Sequence, residues 1–158
     1  AGAAACQTLE RCSGQDLGNV IWASATLRYT PEGWVEDLSG AFARHGGPHA
    51  AQDVANVIWA VAKVQEADPG GARVAAGGGE ALALLAPAAL SVLPHASAQN
   101  AANVLWACGQ LAARESPLVP AACGRLSEVL AQSQAQHVAA AAWAAARLGG
   151  SETSLGSR

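Results

Sequence analysis

The sequence predicts an all-α protein in the form of an α-solenoid, a stack of about four helix-pair repeats that coils, as other such arrays do, into a right-handed superhelix. The first observation is a string that occurs four times, as QDLGNVIWASATL, QDVANVIWAVAKV, QNAANVLWACGQL and QHVAAAAWAAARL, beginning at Gln15, Gln52, Gln99 and Gln136. Self-similarity at a period of roughly 20 to 50 residues indicates a repeat array. The second observation is that 51% of the residues are hydrophobic but only 4% are aromatic. Small side chains, mainly alanine, therefore provide most of the apolar surface, and alanine favours helices.

The tryptophans of the strings set the period. They lie 37, 47 and 37 residues apart, at Trp22, Trp59, Trp106 and Trp143. The longer middle interval contains a Gly-rich segment, ADPGGARVAAGGGE at 67–80, which is typical of a flexible loop and whose removal leaves a period of about 37. We therefore predict repeat units at 1–30, 31–66, 80–114 and 115–148, an insert at 67–79, and a polar, disordered tail at 149–158.

Each string is predicted to form the second helix of its pair. On a helical wheel the aliphatic residues of the first string share one face, the expected core stripe, made of Leu17, Val20, Ile21 and Leu27. The opposite face carries the asparagine and the tryptophan. Small residues such as Gly18 lie between the two faces, so neighbouring helices can approach from more than one side.

The first helix of each pair precedes its string. These helices are predicted at about 34–45, 80–95 and 117–132, with a truncated remnant at 8–12. Pro31 with Glu32, and Pro117, are helix-start signals, because proline suits the first turn and acids favour the positive end of the helix dipole. Pro87 and Pro94 should kink or shorten the first helix of the third unit.

Composition and spacing argue against several classes of protein. The net charge of -3 is unfavourable for nucleic-acid binding. The longest apolar run, 81–93, is too short for a membrane span, which needs about 20 residues. The cysteines show neither CxxC nor a histidine at metal-ligand spacing, so we expect buried free thiols and no metal at Cys6, Cys12, Cys108 and Cys123. No catalytic constellation is present, so we expect neither an enzyme nor a cofactor.

Two positions of the string recur almost unchanged. They are Asn19, Asn56 and Asn103, and Trp22, Trp59, Trp106 and Trp143. The asparagine amides suit either RNA contact or hydrogen bonds to backbone where two units meet. We favour the second interpretation, because a position that reads sequence should differ between units. The same reasoning favours inter-repeat packing over base stacking for the tryptophans, with Trp59 and Trp106 largely buried.

Two other positions stay polar while changing identity. The residue after the glutamine is Asp16, Asp53, Asn100 or His137, and the residue four after the tryptophan is Thr26, Lys63, Gln110 or Arg147. Modular RNA-binding repeats contact one base edge with two or three side chains per unit, so we predict that both columns contact RNA. Lys63, Arg147 and Arg114 are the phosphate-contacting candidates. The alternative is that acids near a helix start, and bases near its end, only stabilise the helix dipole.

The string, the period and the link RYTPEGW at 28–34 resemble the octotricopeptide-repeat family, whose units have a Q-x-x-A-N-x-L-W-A-x-A-x-L core followed by a Pro-Pro-Pro-Glu-Trp signature. Pro31, Glu32 and Trp34 match that signature, Gly33 interrupts it, and the third and fourth units lack it. The match covers the chain except the insert and the tail. The resemblance implies RNA binding in the organelles of green algae and related organisms, in the stability, processing or translation of transcripts. A similar helical array precedes the RAP domain in FAST-kinase-like mitochondrial proteins.

Two functions follow from these observations. The resemblance favours an RNA-binding segment of an organellar post-transcriptional regulator, with single-stranded transcripts as the partner and the chloroplast favoured over the mitochondrion. The acidic balance favours the alternative, a protein-interaction scaffold of the armadillo or HEAT type. Solenoids serve both functions, so the fold class alone does not separate them. Neither function requires a membrane.

Overall fold

The structure, a computed structural model, describes residues 11–29, 31, 33–45, 48–67 and 77–149. Within these ranges the chain forms α-helices and no strand, which confirms the all-α prediction. The helices are α1 (Gly14–Thr26), α2 (Trp34–Arg44), α3 (Ala51–Ala67), α4 (Gly77–Val92), α5 (Ala98–Gln110), α6 (Leu118–Glu128) and α7 (Ala135–Gly149). Short 3-10 turns, Leu93–His95 and Leu130–Gln132, follow α4 and α6.

The helix ends differ from the predicted boundaries at several places. α3 continues to Ala67 and α4 begins at Gly77, so both helices extend into the predicted insert, of which 68–76 lies outside the described residues. α4 continues through Pro87, which is exposed, and Pro94 instead lies in the 3-10 turn. α7 includes Gly149, the first residue of the predicted tail. The rest of that tail and residues 8–10 of the predicted remnant lie outside the described residues.

The helices pack in two rows. The string helices, α1, α3, α5 and α7, contact one another in that order, and the intervening helices, α2, α4 and α6, do the same. The intervening helices also pack against the string helices. α4 packs against both α2 and α3, and α6 packs against both α4 and α5. α4 and α6 therefore each lie in the groove between the two helices that precede them.

The pairing of helices differs from the sequence-based prediction. A string helix packs extensively against the helix that follows it, as α5 does against α6, rather than against the one that precedes it. The turn after α5 explains this pairing, because Ala112 takes a positive φ of 52° and the Ala113 N–H donates to the Cys108 carbonyl. This turn closes the helix end and sends the chain back along α5. Arg28, with a φ of 54°, ends α1 in the same way.

The core runs between the two rows. Its largest fully buried side chains include Phe42, Leu38, Ile58, Leu85 and Leu118. In α1, the predicted stripe is confirmed for two residues and wrong for the other two: Leu17 and Ile21 are buried, whereas Val20 and Leu27 are exposed. Leu27 is the C-cap of the helix, where the chain turns away from the core. Val20 is exposed because α1 has a string-helix neighbour, α3, on one side only within the described residues.

The thiols match the expectation of burial only in part. Cys108 is buried, and this burial raises the pKa of its thiol to about 12. Cys12 is half-buried, and Cys6 lies outside the described residues. Cys123 is exposed on α6, so the expectation of a buried thiol is wrong there. Among the described residues, no helix is long and apolar enough to cross a membrane.

Gly109 marks the closest approach between α5 and α7. A Cβ added there would lie 2.9 Å from the Ala144 Cα and 3.2 Å from the Trp143 ring, whereas a Cβ at Gly124 on α6 would meet nothing within 4 Å. We expect Gly109→Ala to lower the free energy of unfolding by about 1–3 kcal/mol, because helix backbones must move apart to relieve the overlap. Gly124→Ala should raise it by about 0.5–1 kcal/mol through helix propensity. Urea melts of both variants check this pair, and a gain in both would contradict the close α5–α7 contact.

His49 makes the stability of the folded chain depend on pH. Its ring stacks on Phe42 with centroids 4.3 Å apart and lies 5.7 Å from His45. Burial, followed by the charge of His45, lowers the pKa of His49 below its ordinary value of 6.5, although Asp53 opposes the shift. The unfolded chain therefore takes up this proton first as the pH falls.

We expect stability to be greatest above about pH 6.5 and to fall as the pH drops through 6.5 towards the lower folded-state pKa. Urea melts across this range should show a smaller pH dependence in His49→Gln than in the parent chain. His95→Gln is the matched control, because His95 is exposed. A His49→Gln variant with the parent's full pH dependence would assign the effect to another group.

Candidate nucleic-acid interface

Three of the four tryptophans of the strings form a continuous row of rings. The ring centroids of Trp59 and Trp106 lie 6.2 Å apart, and those of Trp106 and Trp143 lie 6.0 Å apart. Trp59 and Trp106 are half-buried against the core, and Trp143 is 38% exposed. The expectation that Trp59 and Trp106 are largely buried is thus met only in part. The rings pack between units and also keep an accessible side.

The repeat explains this row. Each tryptophan occupies the same position of its string, and α3, α5 and α7 pack side by side, so equivalent side chains come together. The asparagine three residues before Trp59 and Trp106, and the polar residue four residues after each tryptophan, lie on the same face of an α-helix. On α7 the asparagine position is Ala140. The face therefore combines indole and long polar side chains on all three helices, and it adds an amide on α3 and α5.

The cationic side chains lie on the rings. The Lys63 Nζ is 5.6 Å from the Trp59 ring centroid and 5.3 Å from that of Trp106, and it also pairs with Glu66. The Arg147 guanidinium carbon is 5.1 Å from the Trp143 centroid. Both geometries fall within the range of cation–π attraction, which is about 6 Å. A negative ligand that approaches the rings would meet these charges first.

Arg147 also connects α7 to α5 and to the loop after α5. Its Nε donates to the Gly109 carbonyl at 3.2 Å. Arg114, a predicted phosphate contact, donates to the Arg147 carbonyl at 3.3 Å, so the structure brings these two predicted site residues together. Gln110 is half-buried on the same face, and Thr26 donates its hydroxyl to the Trp22 carbonyl on α1. The second variable column therefore borders the tryptophans.

The asparagine amides do not have the role predicted for them. We expected each amide to bond to backbone where units meet, but within the described residues no hydrogen bond involves the side chains of Asn19, Asn56 or Asn103. Asn19 is exposed and the other two are half-buried. The amides are also absent from the buried unpaired atoms of the described residues, so they remain open to solvent. An open amide offers both donors and an acceptor to a ligand.

We call this surface the tryptophan strip and define it as Asn56, Asn103, Trp59, Trp106, Trp143, Lys63, Gln110 and Arg147. Trp22 continues the pattern on α1 but is 46% exposed, and no ring contact joins it to Trp59 among the described residues. The strip is therefore continuous over α3, α5 and α7.

Two members of the first variable column, Asp16 and His137, have structural roles at helix starts. The column occupies the third residue of each string helix, where a side chain can cap the helix start. Asp16 accepts from the Ser13 backbone N–H at 3.0 Å and from the Ser13 hydroxyl at 2.7 Å, and Ser13 accepts in return from the Asp16 N–H. These bonds, led by the one from the Ser13 side chain, lower the pKa of Asp16. This arrangement is a capping box.

The other members of that column lie at the same position of their own helices. The Asn100 N–H donates to the hydroxyl of Ser97, the N-cap of α5. His137 is buried, and its Nδ1 accepts from the Gln134 N–H at 3.1 Å at the start of α7. Asp53 is half-buried where Gly18 of α1 approaches α3. His137 is buried and the Asp16 carboxylate is engaged in the capping box, so neither side chain is available to contact a base.

Distance also separates the two columns. They are ten residues apart along each helix, which corresponds to about 15 Å. Two side chains so far apart do not contact the edge of the same base. The prediction that side chains of both columns contact the same base is therefore wrong. Only the second column shares a surface with the tryptophans. The pattern Ser13-x-x-Asp16 is the sequence signal that predicts the capping box of α1.

Comparisons of the chain with known protein families, with curated proteins and with solved structures find no match. Within the part of the chain that the structure describes, no three His, Cys, Asp or Glu side chains gather in a group that could hold a metal ion. The indoles, amides and cations of the strip are suited to stacking, hydrogen bonding and attraction of negative charge.

Proposed function

We propose that the chain is an α-solenoid segment that binds single-stranded RNA along the tryptophan strip. The observation that carries this proposal is the row of accessible indoles at Trp59, Trp106 and Trp143 with cations placed on them. Single-stranded RNA is recognised through bases that stack on aromatic side chains and present their edges to hydrogen-bonding groups. The open amides of Asn56 and Asn103 supply such groups beside the rings.

The charges set the expected strength of binding. Lys63, Arg147 and Arg114 are the cations at or beside the strip, and the chain as a whole carries a net charge of -3. With about three phosphate contacts, the logarithmic salt slope for single-stranded RNA should be only about -2. Binding by this segment should accordingly be weak and should depend on stacking more than on charge.

The biological setting of the proposal rests on the resemblance to octotricopeptide repeats. That family acts in the stability, processing and translation of organellar transcripts, and we propose the same role here, in the chloroplast rather than the mitochondrion. The signature residues in the link after the first string include Trp34, whose indole N–H donates to the buried Ser24 hydroxyl at 3.0 Å and so joins α2 to α1. This contact gives the signature tryptophan a structural role.

The test is fluorescence anisotropy with a labelled single-stranded RNA of mixed sequence at low salt. Arg147→Ala should weaken binding by about five-fold or more, because it removes the cation above the outermost ring. Arg44→Ala is the matched control, since Arg44 is an exposed arginine on α2, in the other row of helices. It changes the net charge equally and should alter binding less than two-fold.

Equal effects of the two arginine variants would assign the binding to overall charge and contradict the strip. No binding by the parent chain, with helical content intact, would favour the protein-interaction scaffold, which the acidic charge already supports. A weaker complex for Trp143→Ala, with helical content retained, would support a stacking contact at the exposed end of the row.

A further inference from the structure

An apolar groove lies open between α6 and α7. It has a volume of about 320 Å³ and is lined by Cys123, Leu126, Ser127, Leu130, Val138, Ala141, Ala142 and Ala145, with Leu105 of α5 also contributing. None of these side chains carries a formal charge at neutral pH. Leu130 is 57% exposed and Val138 is 45% exposed, so large aliphatic side chains face solvent here. An exposed apolar groove of this kind marks a site of interaction.

The repeat shows what covers such a groove. In α5 the positions equivalent to Val138, Ala141, Ala142 and Ala145 are Ala101, Val104, Leu105 and Cys108, and all four are buried. In α3 they are Val54, Val57, Ile58 and Val61, and these are buried too. Leu130 has its equivalent in Leu93, which is also buried. The same positions are therefore closed in the interior of the array and open at α7.

The covering elements in the interior are helices of one type. The groove between α2 and α3 is filled by α4, and the groove between α4 and α5 is filled by α6. The groove between α6 and α7 is the next in this series. A helix bound in this groove would repeat the interface that α4 forms with α2 and α3, and that α6 forms with α4 and α5.

The helices that fill these grooves share an aliphatic pattern. α4 presents Ala81, Leu85, Ala89 and Val92, and α6 presents Leu118, Ala122, Leu126 and Val129, both at spacings of four, four and three residues. This spacing places the four side chains on one stripe of a helix. The pattern spans 12 residues. In a second copy, α4 and α6 are already packed in their own grooves.

We propose that the α6–α7 groove binds an amphipathic α-helix of a partner protein, with small or aliphatic residues at that spacing. The helix lies alongside α6 and α7 as α6 lies alongside α4 and α5. Its contacting stripe is uncharged, because no charged side chain lines the groove. The partner is thus recognised by apolar shape, which separates this surface in chemistry from the tryptophan strip.

The test uses a helix of known fit as the probe. A fluorescein-labelled peptide with the sequence of residues 116–132, Cys123 replaced by serine, is titrated with the whole chain, and a scrambled peptide of the same composition is the control. We expect saturable binding of the first peptide and at least ten-fold weaker binding of the second. Val138→Glu should weaken binding at least ten-fold, because it places a charge in the apolar groove.

Ala139→Glu is the matched variant, since Ala139 is also exposed on α7 but does not line the groove. It should bind the peptide within two-fold of the parent chain. Circular dichroism confirms that both variants keep their helical content. Equal peptide binding by both variants, or no binding by the parent up to millimolar concentration, would overturn the proposal. Self-association abolished by Val138→Glu in analytical ultracentrifugation would also overturn it, by making a second copy the occupant.

Discussion

Phe42→Ala is expected to lower the free energy of unfolding by about 3–5 kcal/mol, the largest effect of any single substitution considered for this chain. Phe42 is completely buried and is the only phenylalanine in the sequence. Its ring stacks on His49, and it lies close to Gly14 at the start of α1. The truncation therefore leaves a cavity where α1, α2 and the segment before α3 meet, and small neighbours such as Gly14 have no side chain with which to fill it.

The measurement is a urea or thermal melt followed by circular dichroism. Tyr29→Ala is the control, because Tyr29 is another aromatic residue but is 67% exposed, and its removal should change stability by less than about 0.5 kcal/mol. If the two variants melt together, the space around Phe42 is able to collapse, and the core is less closely packed than its burial indicates.

Trp106→Ala is expected to cost about 2–4 kcal/mol, below the range for a fully buried tryptophan because the indole keeps an accessible side. The ring contacts Trp59 on one side and Trp143 on the other, and Lys63 lies over it. The substitution therefore removes two aromatic contacts, each of about 0.5–1.5 kcal/mol, together with apolar burial.

Trp22→Ala is the matched substitution, at the same string position in α1. It should cost no more than about 1 kcal/mol, since Trp22 is 46% exposed. Near-ultraviolet circular dichroism recorded with the melts should change more for Trp106→Ala, because coupled indoles contribute strongly in that region. Similar losses from the two substitutions would show that the tryptophans act as independent side chains.

The all-α class could be predicted from sequence because the recurring string carries its own helical periodicity. The helix pairing was harder to predict, since it depends on turns such as the one at Ala112, where a non-glycine residue takes a positive φ. Alanine is not a usual signal for that conformation. The exposure of Val20 shows another limit, because its equivalents Val57 and Val104 are buried only where further helices cover them.

The site was predictable in part for a related reason. Variation between units singled out Lys63 and Arg147, and the structure places both beside tryptophan rings, whereas their contact with RNA stays a prediction. The same criterion was misleading for Asp16 and His137. Several different side chains can cap a helix, so a capping position can vary between units without any role in RNA recognition. Recurrence was equally ambiguous for Asn56, since an amide can recur through a shared ligand as well as through a shared structural bond.

The order in which the helices contact one another determines which helix unfolds first. Each string helix touches the string helices beside it, so α7 is held in its row by α5 alone among the described helices, whereas α3 and α5 have neighbours on both sides. Only His137 and Ala144 of α7 are buried. In arrays with nearest-neighbour coupling, the terminal unit frays at the lowest free energy. Amide hydrogens of α7 should therefore exchange with solvent first and those of α3 and α5 last, so that Trp143 leaves the row of rings before the rest of the chain unfolds.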